Sequence, residues 1–164
     1  MIKNVSDNSR WWMLGLTVFA LLSSYGLEYV FNLSPCPLCI MQRLCTIVLA
    51  FSGLFYFIFP KFTKSYLFLG LQAMVILLGI LTAGRQMWLQ SVTTADTSLC
   101  MPGFEELVHY FSWDTILKMM FWGSNDCATV SWKLMGLPMS YWSMGYFLLM
   151  LFLLFSQFLS KFRR

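Results

Sequence analysis

Four long apolar runs alternate with polar segments along the chain. They cover residues 11–31, 44–60, 66–84 and 134–160, and Glu28 is the single charged residue among them. A helix needs about 20 apolar residues to cross the hydrocarbon core of a bilayer. The pattern predicts an all-α integral membrane protein, a four-transmembrane-helix bundle forming a single domain over residues 1–164. We expect the spans at residues 11–31, 40–60, 66–84 and 135–158.

The first run could alternatively be a cleaved signal peptide. The apolar region of such a peptide is usually about 7 to 15 residues long and leads into a small-residue cleavage site. Here residues 25–31 remain bulky, and no Ala-x-Ala-like site follows. The sequence therefore favours an uncleaved first span.

Composition supports a membrane protein. Of the 164 residues, 59% are apolar and 11% are charged, whereas a soluble domain carries roughly 25% charged residues. So few charges cannot cover a water-facing surface, which argues against an ordinary soluble enzyme. The net charge of +4 comes from basic residues that punctuate apolar runs and do not cluster on one polar face, so no nucleic-acid partner is expected.

The basic residues also predict the orientation. Seven of the eleven fall in three segments that four spans would place on one side: Lys3, Arg10, Lys61, Lys64, Lys161, Arg163 and Arg164. Cytoplasmic flanks of membrane spans are enriched in lysine and arginine. We expect both termini in the cytoplasm, with loops 32–39 and 85–134 on the exported side.

The long exported loop contains five of the seven acidic residues. Its segments 104–111 and 113–122 mix aromatic, methionine and charged positions, as helices that lie along a membrane surface do. A short interfacial helix over the mouth of the bundle and a loop packed on itself are both compatible with this pattern.

Four of the five cysteines fall on the exported side, where disulfides persist. Cys36 and Cys39 form a Cys-x-x-Cys pair, which can close a small redox-active ring at a helix N-terminus. Zinc is disfavoured because no second close pair follows and His109 is the sole histidine. Cys100 and Cys127 are 27 residues apart, and a structural disulfide that closes the long loop is a serious alternative for them.

Arg43 is unusual because an ionised side chain at the edge of a span is costly unless it is paired or reaches water. It lies one helical turn after Cys39, so it could stabilise an anionic intermediate beside that sulfur. It could instead snorkel to the interface. Glu28 could balance it, and the sequence does not decide between these arrangements.

The chain resembles the disulfide bond formation protein B (DsbB) family, bacterial inner-membrane thiol oxidases. The resemblance covers nearly the whole chain. It rests on residues 35–43 (PCPLCIMQR), 84–90 (GRQMWLQ), 100–104 (CMPGF), Cys127 and the segment 132–142. Some relatives have histidine where Gln86 stands. Cys45 matches no redox cysteine of the family and is expected to pack in the core.

The resemblance implies a quinone-dependent protein-dithiol oxidase with ubiquinone or menaquinone as cofactor. Cys36 and Cys39 would face the quinone with Arg43 beside it, while Cys100 and Cys127 would meet the partner. That partner would be a periplasmic thioredoxin-like, DsbA-like dithiol oxidase, since the DsbA–DsbB–quinone couple keeps the bacterial periplasm oxidising.

Two other functions remain open from the sequence. A vitamin K epoxide reductase-like protein also couples a Cys-x-x-Cys to quinone, but there we expect the motif late in the chain. A non-catalytic membrane subunit would use its cysteines only to staple loops.

Overall fold

Four long helices make up most of the described structure. The computed structural model describes residues 2–31, 36–59, 65–92, 114, 121, 127 and 133–162. The elements are α1 (Ile2–Phe31), α2 (Pro37–Ile58), α3 (Tyr66–Val92), β1 (Lys133–Leu134), β2 (Leu137–Pro138) and α4 (Met139–Phe162). All four helices are long and apolar enough to cross a membrane.

Each helix packs against two neighbours to form a four-helix bundle. Helices α1 and α3 both contact α2 and α4. Large apolar side chains cover the outside, including Phe19, Met74 and Phe152, which are 69%, 68% and 67% exposed. Such a surface requires a lipid environment, so the chain is a multi-pass membrane protein, and the predicted fold class is confirmed.

Apolar side chains from α2, α3 and α4 form the core of the bundle. Its buried members are Cys45, Leu49, Leu69, Ile76, Phe147, Met150 and Leu154. Cys45 therefore packs in the core, as the sequence predicts. Gly79 on α3 lies against the Phe147 ring so closely that a Cβ atom would sit 2.6 Å from Cδ1. Glycine at this position allows α3 and α4 to approach each other.

A short hairpin precedes α4. Strands β1 and β2 pair antiparallel, with Lys133 opposite Pro138. The two residues between them, Met135 and Gly136, have φ of 52° and 82°. Positive φ at both positions is characteristic of a type I′ turn and cannot continue a helix. Helix α4 accordingly begins at Met139, four residues after the predicted start of the fourth span.

Helix α3 continues past its apolar run to Val92, whereas the sequence predicts that the exported loop begins at residue 85. Backbone hydrogen bonds do not require apolar side chains, and Arg85 stacks on Trp88, 4.5 Å from its ring centroid. The extra turns carry Gln86 and Gln90 in helical register. The proposed interfacial helix, residues 104–122, lies outside the described residues except for 114 and 121.

Candidate redox site

The N-terminus of α2 brings the Cys-x-x-Cys sulfurs together. Pro37 occupies the first turn, where its missing N–H is not needed and its fixed φ suits the helix. Cys36 is the N-cap residue, and its sulfur accepts a hydrogen bond from the Cys39 backbone N–H at 3.4 Å. The two sulfurs lie 2.8 Å apart. The partial positive charge of a helix N-terminus stabilises a thiolate at this position.

Cys127 brings a third sulfur to this pair. It is 1% exposed, and its side chain forms a hydrogen bond with Cys36 although 91 residues separate them in sequence. This bond, the bond to Cys39 and burial together raise the pKa of the Cys36 thiol. Cys127 therefore lies within reach of the Cys36 sulfur for thiol–disulfide exchange. Cys100 lies outside the described residues.

A buried chain of polar side chains reaches the same sulfurs from α3. The Gln86 Nε2 group donates to Cys39 Sγ at 3.3 Å and points at Cys36 Sγ at 3.8 Å. Gln86 Oε1 accepts from Gln42 Nε2 at 2.9 Å, and Gln42 Oε1 accepts from Ser143 Oγ at 2.6 Å. Each amide oxygen is occupied by a donor, so the Gln86 N–H groups are held facing the cysteines.

Arg43 lies one turn below Cys39, and its guanidinium group is directed at α1. It forms an ion pair with Glu28. Its Nε donates to Ser24 Oγ at 2.8 Å, its Nη2 donates to the Ser24 carbonyl oxygen at 3.4 Å, and it stacks over Tyr25 at 5.0 Å. The structure therefore pairs Arg43 with Glu28, which decides a question that the sequence leaves open.

Sequence reasoning singled out Cys36, Cys39, Arg43 and Cys127, and the structure brings all four to one end of the bundle. It missed the hydrogen bonds of Gln42, Gln86 and Ser143. The sequence does contain an indication of these hydrogen bonds. Polar side chains inside membrane spans are costly, so they are expected to face hydrogen-bond partners in the bundle interior. Gln86 is 5% exposed and Gln42 is 7% exposed.

Comparisons with known proteins show the family to which the chain belongs. A family model described as "Disulfide bond formation protein DsbB" matches residues 7–157. The chain belongs to the DsbB family. A disulfide bond formation protein B of Nitrosococcus oceani is 36% identical over 147 residues, covering 85% of this chain and 85% of the relative.

Two further relatives carry the same name. The protein of Acinetobacter baumannii is 35% identical, covering 76% of this chain and 74% of the relative. The protein of Stutzerimonas stutzeri is 32% identical, covering 80% of each. No solved structure matches the chain. Membership of the DsbB family rests on relatives that the chain matches over most of their length.

Proposed function

We propose that this protein passes electrons from a periplasmic, thioredoxin-like dithiol oxidase of the DsbA type to membrane quinone. As a member of the DsbB family it is a membrane oxidoreductase of disulfide bond formation. The family match favours this function over a vitamin K epoxide reductase-like enzyme and over a non-catalytic subunit. The proposed electron acceptor is ubiquinone or menaquinone.

The observation that supports the proposed route best is the contact between Cys127 and Cys36. A cysteine that only formed a structural disulfide closing the long loop would not need to contact the Cys-x-x-Cys pair. Here its sulfur forms a hydrogen bond with the N-cap sulfur of α2. A thiolate attacks a disulfide sulfur and leaves a mixed disulfide, and this contact provides the approach for that attack.

The route begins with the Cys100–Cys127 disulfide. A partner thiolate attacks Cys100, forms a mixed disulfide with it and releases Cys127 as a thiolate. Cys127 then attacks Cys36 of the Cys36–Cys39 disulfide, so that a Cys36–Cys127 bond forms and Cys39 leaves as a thiolate. The second partner thiolate attacks its own mixed disulfide, which completes the partner disulfide and releases Cys100.

The Cys100 thiolate then attacks Cys127, which restores the Cys100–Cys127 disulfide and releases Cys36. Two electrons have now moved from the partner to the Cys36/Cys39 pair. The charge rests on Cys39, inside the first turn of α2 and within hydrogen-bonding distance of Gln86. Cys36 takes up a proton, in agreement with its raised pKa.

Arg43 and its neighbours suit a bound quinone. A quinone supplies a two-electron acceptor with carbonyl oxygens and a flat apolar ring. Three of the five guanidinium N–H groups are used in bonds to Ser24 and Glu28, and those that remain can donate to such an oxygen. Tyr25 adds an aromatic face beside them. We propose that Arg43 binds and orients the quinone next to Cys39.

We propose that the protein lies in the bacterial inner membrane with both termini in the cytoplasm and the cysteines on the periplasmic side. Helix α1 ends and α2 begins at the cysteine end of the bundle, whereas α2 and α4 end at the opposite end. In sequence, Lys61 and Lys64 follow α2, and Arg163 and Arg164 follow α4. Reporter fusions after Lys64 and near Ser112 should report opposite compartments. A common compartment for both would overturn this topology.

Cysteine variants test the route. Cys127→Ala, mixed with the oxidised partner, should accumulate a disulfide-linked complex, seen as a shifted band on non-reducing gels. In this variant the Cys100 thiolate attacks the partner disulfide, and no Cys127 thiolate is present to displace the partner. Cys39→Ala should abolish quinone reduction. Cys45→Ala is the matched control, because this buried cysteine packs among apolar side chains, and it should behave as wild type. Near-normal oxidation of the partner by Cys100→Ala would contradict the route.

A further inference from the structure

Polar side chains also line a cavity at the end of the bundle opposite the cysteines. The cavity has a volume of about 480 Å³ including its open mouth, and Arg10, Thr17, Ser52, Tyr56, Gln72 and Gln157 are among its lining residues. Arg10 precedes Glu28 by 18 residues on α1, which places the two residues about 27 Å apart along the helix axis. The cavity is therefore separate from the redox site.

The guanidinium group of Arg10 is held in a fixed position in this cavity. Its Nε donates to Gln157 Oε1 at 3.2 Å, and its Cζ atom lies over the Tyr56 ring, 4.0 Å from the ring centroid. Gln157 is 5% exposed, and its Nε2 contacts Met13 Sδ at 2.9 Å. Contacts on two sides thus set the direction in which the remaining N–H groups point.

One of those groups has no acceptor. Arg10 Nη1 is buried, and it is the one buried side-chain nitrogen or oxygen among the described residues that lacks a hydrogen-bond partner. The ion pair found among those residues joins Arg43 to Glu28, so it does not neutralise Arg10. A buried charged donor without an acceptor is costly. A negatively charged oxygen bound in the cavity would supply the acceptor that Arg10 Nη1 lacks.

The position of the cavity indicates where that oxygen comes from. Arg10 is the first residue of the first span and Tyr56 is the last residue of the second, while Gln157 is three residues from the end of the fourth. All three thus lie at the level where lipid headgroups meet the hydrocarbon. Guanidinium groups bind phosphate oxygens through paired N–H donors.

We propose that this cavity binds the phosphate group of an anionic membrane phospholipid, with Arg10 as its principal donor. The Gln72 amide, which donates to Ser52 Oγ at 2.9 Å, supplies further polar surface on the opposite wall. The site is independent of the electron route, so its failure would leave the proposed function intact.

The test compares lipid binding to the delipidated full chain in detergent by native mass spectrometry, with dioleoylphosphatidylglycerol as the probe. Wild type should retain one tightly bound lipid. Arg10→Gln should weaken its apparent affinity about tenfold or more, because a hydrogen bond to a charged group is lost. Arg85→Gln is the matched control, since Arg85 stacks on Trp88 near the other end of the bundle, and it should bind as wild type does.

Two further arms identify the ligand and guard against misfolding. Inorganic phosphate at millimolar concentration should neither displace the lipid nor raise the Tm, and displacement would assign the site to free phosphate and overturn the lipid proposal. Arg10→Lys, which keeps the charge and loses the planar fork, should bind with intermediate affinity and serves if Arg10→Gln does not fold. Equal retention by wild type and both Arg10 variants would show a non-specific lipid shell and refute the site.

Discussion

Replacing Gln86 with methionine removes the amide that donates to Cys39 while keeping a side chain of similar length. In the wild type this amide lies 3.3 Å from Cys39 Sγ and is oriented by Gln42. In the proposed route, Cys39 leaves as a thiolate when Cys127 attacks Cys36, and the hydrogen bond from Gln86 to Cys39 becomes charge-assisted. Gln86→Met should therefore slow the step that forms this thiolate.

The size of the effect follows from the geometry. A hydrogen bond to a charged group contributes about 1.5–3 kcal/mol, and about 1.4 kcal/mol corresponds to a factor of ten in rate. One N–H group lies close to Cys39, and its contact to Cys36 is longer at 3.8 Å. We therefore take the lower end of that range and expect about a tenfold loss in the rate of quinone reduction.

The assay separates the two halves of the reaction. Stopped-flow absorbance follows quinone reduction, and quenched samples on non-reducing gels follow the mixed disulfide with the partner. Gln86→Met should slow quinone reduction and leave the formation of the mixed disulfide with the partner unchanged. Gln86→His, which restores a ring N–H, should recover most of the rate.

Gln90→Met provides the matched control, because Gln90 lies one turn further along α3 and accepts a hydrogen bond from Ser140 at 2.6 Å. It should react at the wild-type rate. A loss of less than twofold in quinone reduction by Gln86→Met, or an equal loss by Gln90→Met, would contradict the role of the Gln86 amide. A parallel loss in both halves of the reaction would indicate general destabilisation instead.

Substitutions at Arg43, Cys127 and Gly79 test other parts of the structure. Arg43→Ala should raise the apparent KM for quinone about tenfold with little effect on partner binding, Arg43→Lys should recover part of it, and an unchanged KM would remove this residue from the quinone site. In the reduced protein, Cys127→Ala should lower the pKa of Cys36, because it removes the hydrogen bond that contributes most to raising that pKa. The pH midpoint of Cys36 alkylation by N-ethylmaleimide, measured by mass spectrometry, should therefore fall. An unchanged midpoint would contradict this expectation. Gly79→Ala should lower the free energy of unfolding by about 1–3 kcal/mol, because the new methyl group forces the facing aromatic ring of α4 to move. Its Tm should be lower than that of the control Gly70→Ala, whose new Cβ would meet nothing within 4 Å. Equal Tm values for the two variants would argue against close packing between α3 and α4 at this position.

The spans and the position of the Cys-x-x-Cys pair were predictable because they depend on local sequence. Apolar runs of about 20 residues have few alternatives to a membrane helix. Pro37 marks the start of α2, which places Cys36 as the N-cap and Cys39 in the first turn. Both features follow from steric and hydrogen-bonding rules that act over a few residues.

The contacts between helices were not predictable in this way. A run of apolar residues predicts a span but leaves its rotation about its own axis unspecified. The pairing of Gln86 with Cys39, and of Arg43 with Glu28, depends on that rotation for three different helices. Gln86 also lies beyond the end of its apolar run, so the hydrophobic pattern gives no reason to expect it in helical register beside the cysteines.

Gln86 and Arg43, the two polar side chains near Cys39, differ in charge. This difference affects how readily a Cys39 thiolate forms and how readily it donates electrons. A thiolate that is stabilised more strongly is a weaker nucleophile, so a guanidinium group bonded directly to Cys39 would make its electrons harder to donate. The structure instead gives Cys39 a neutral amide donor and pairs Arg43 with a carboxylate on α1. In the proposed route, the Gln86 amide would stabilise the Cys39 thiolate as it leaves the disulfide, while the positive charge of Arg43, one turn away, would bind the quinone. In the proposed route, this arrangement would let Cys39 serve both as the leaving group in disulfide exchange and as the electron donor to the quinone.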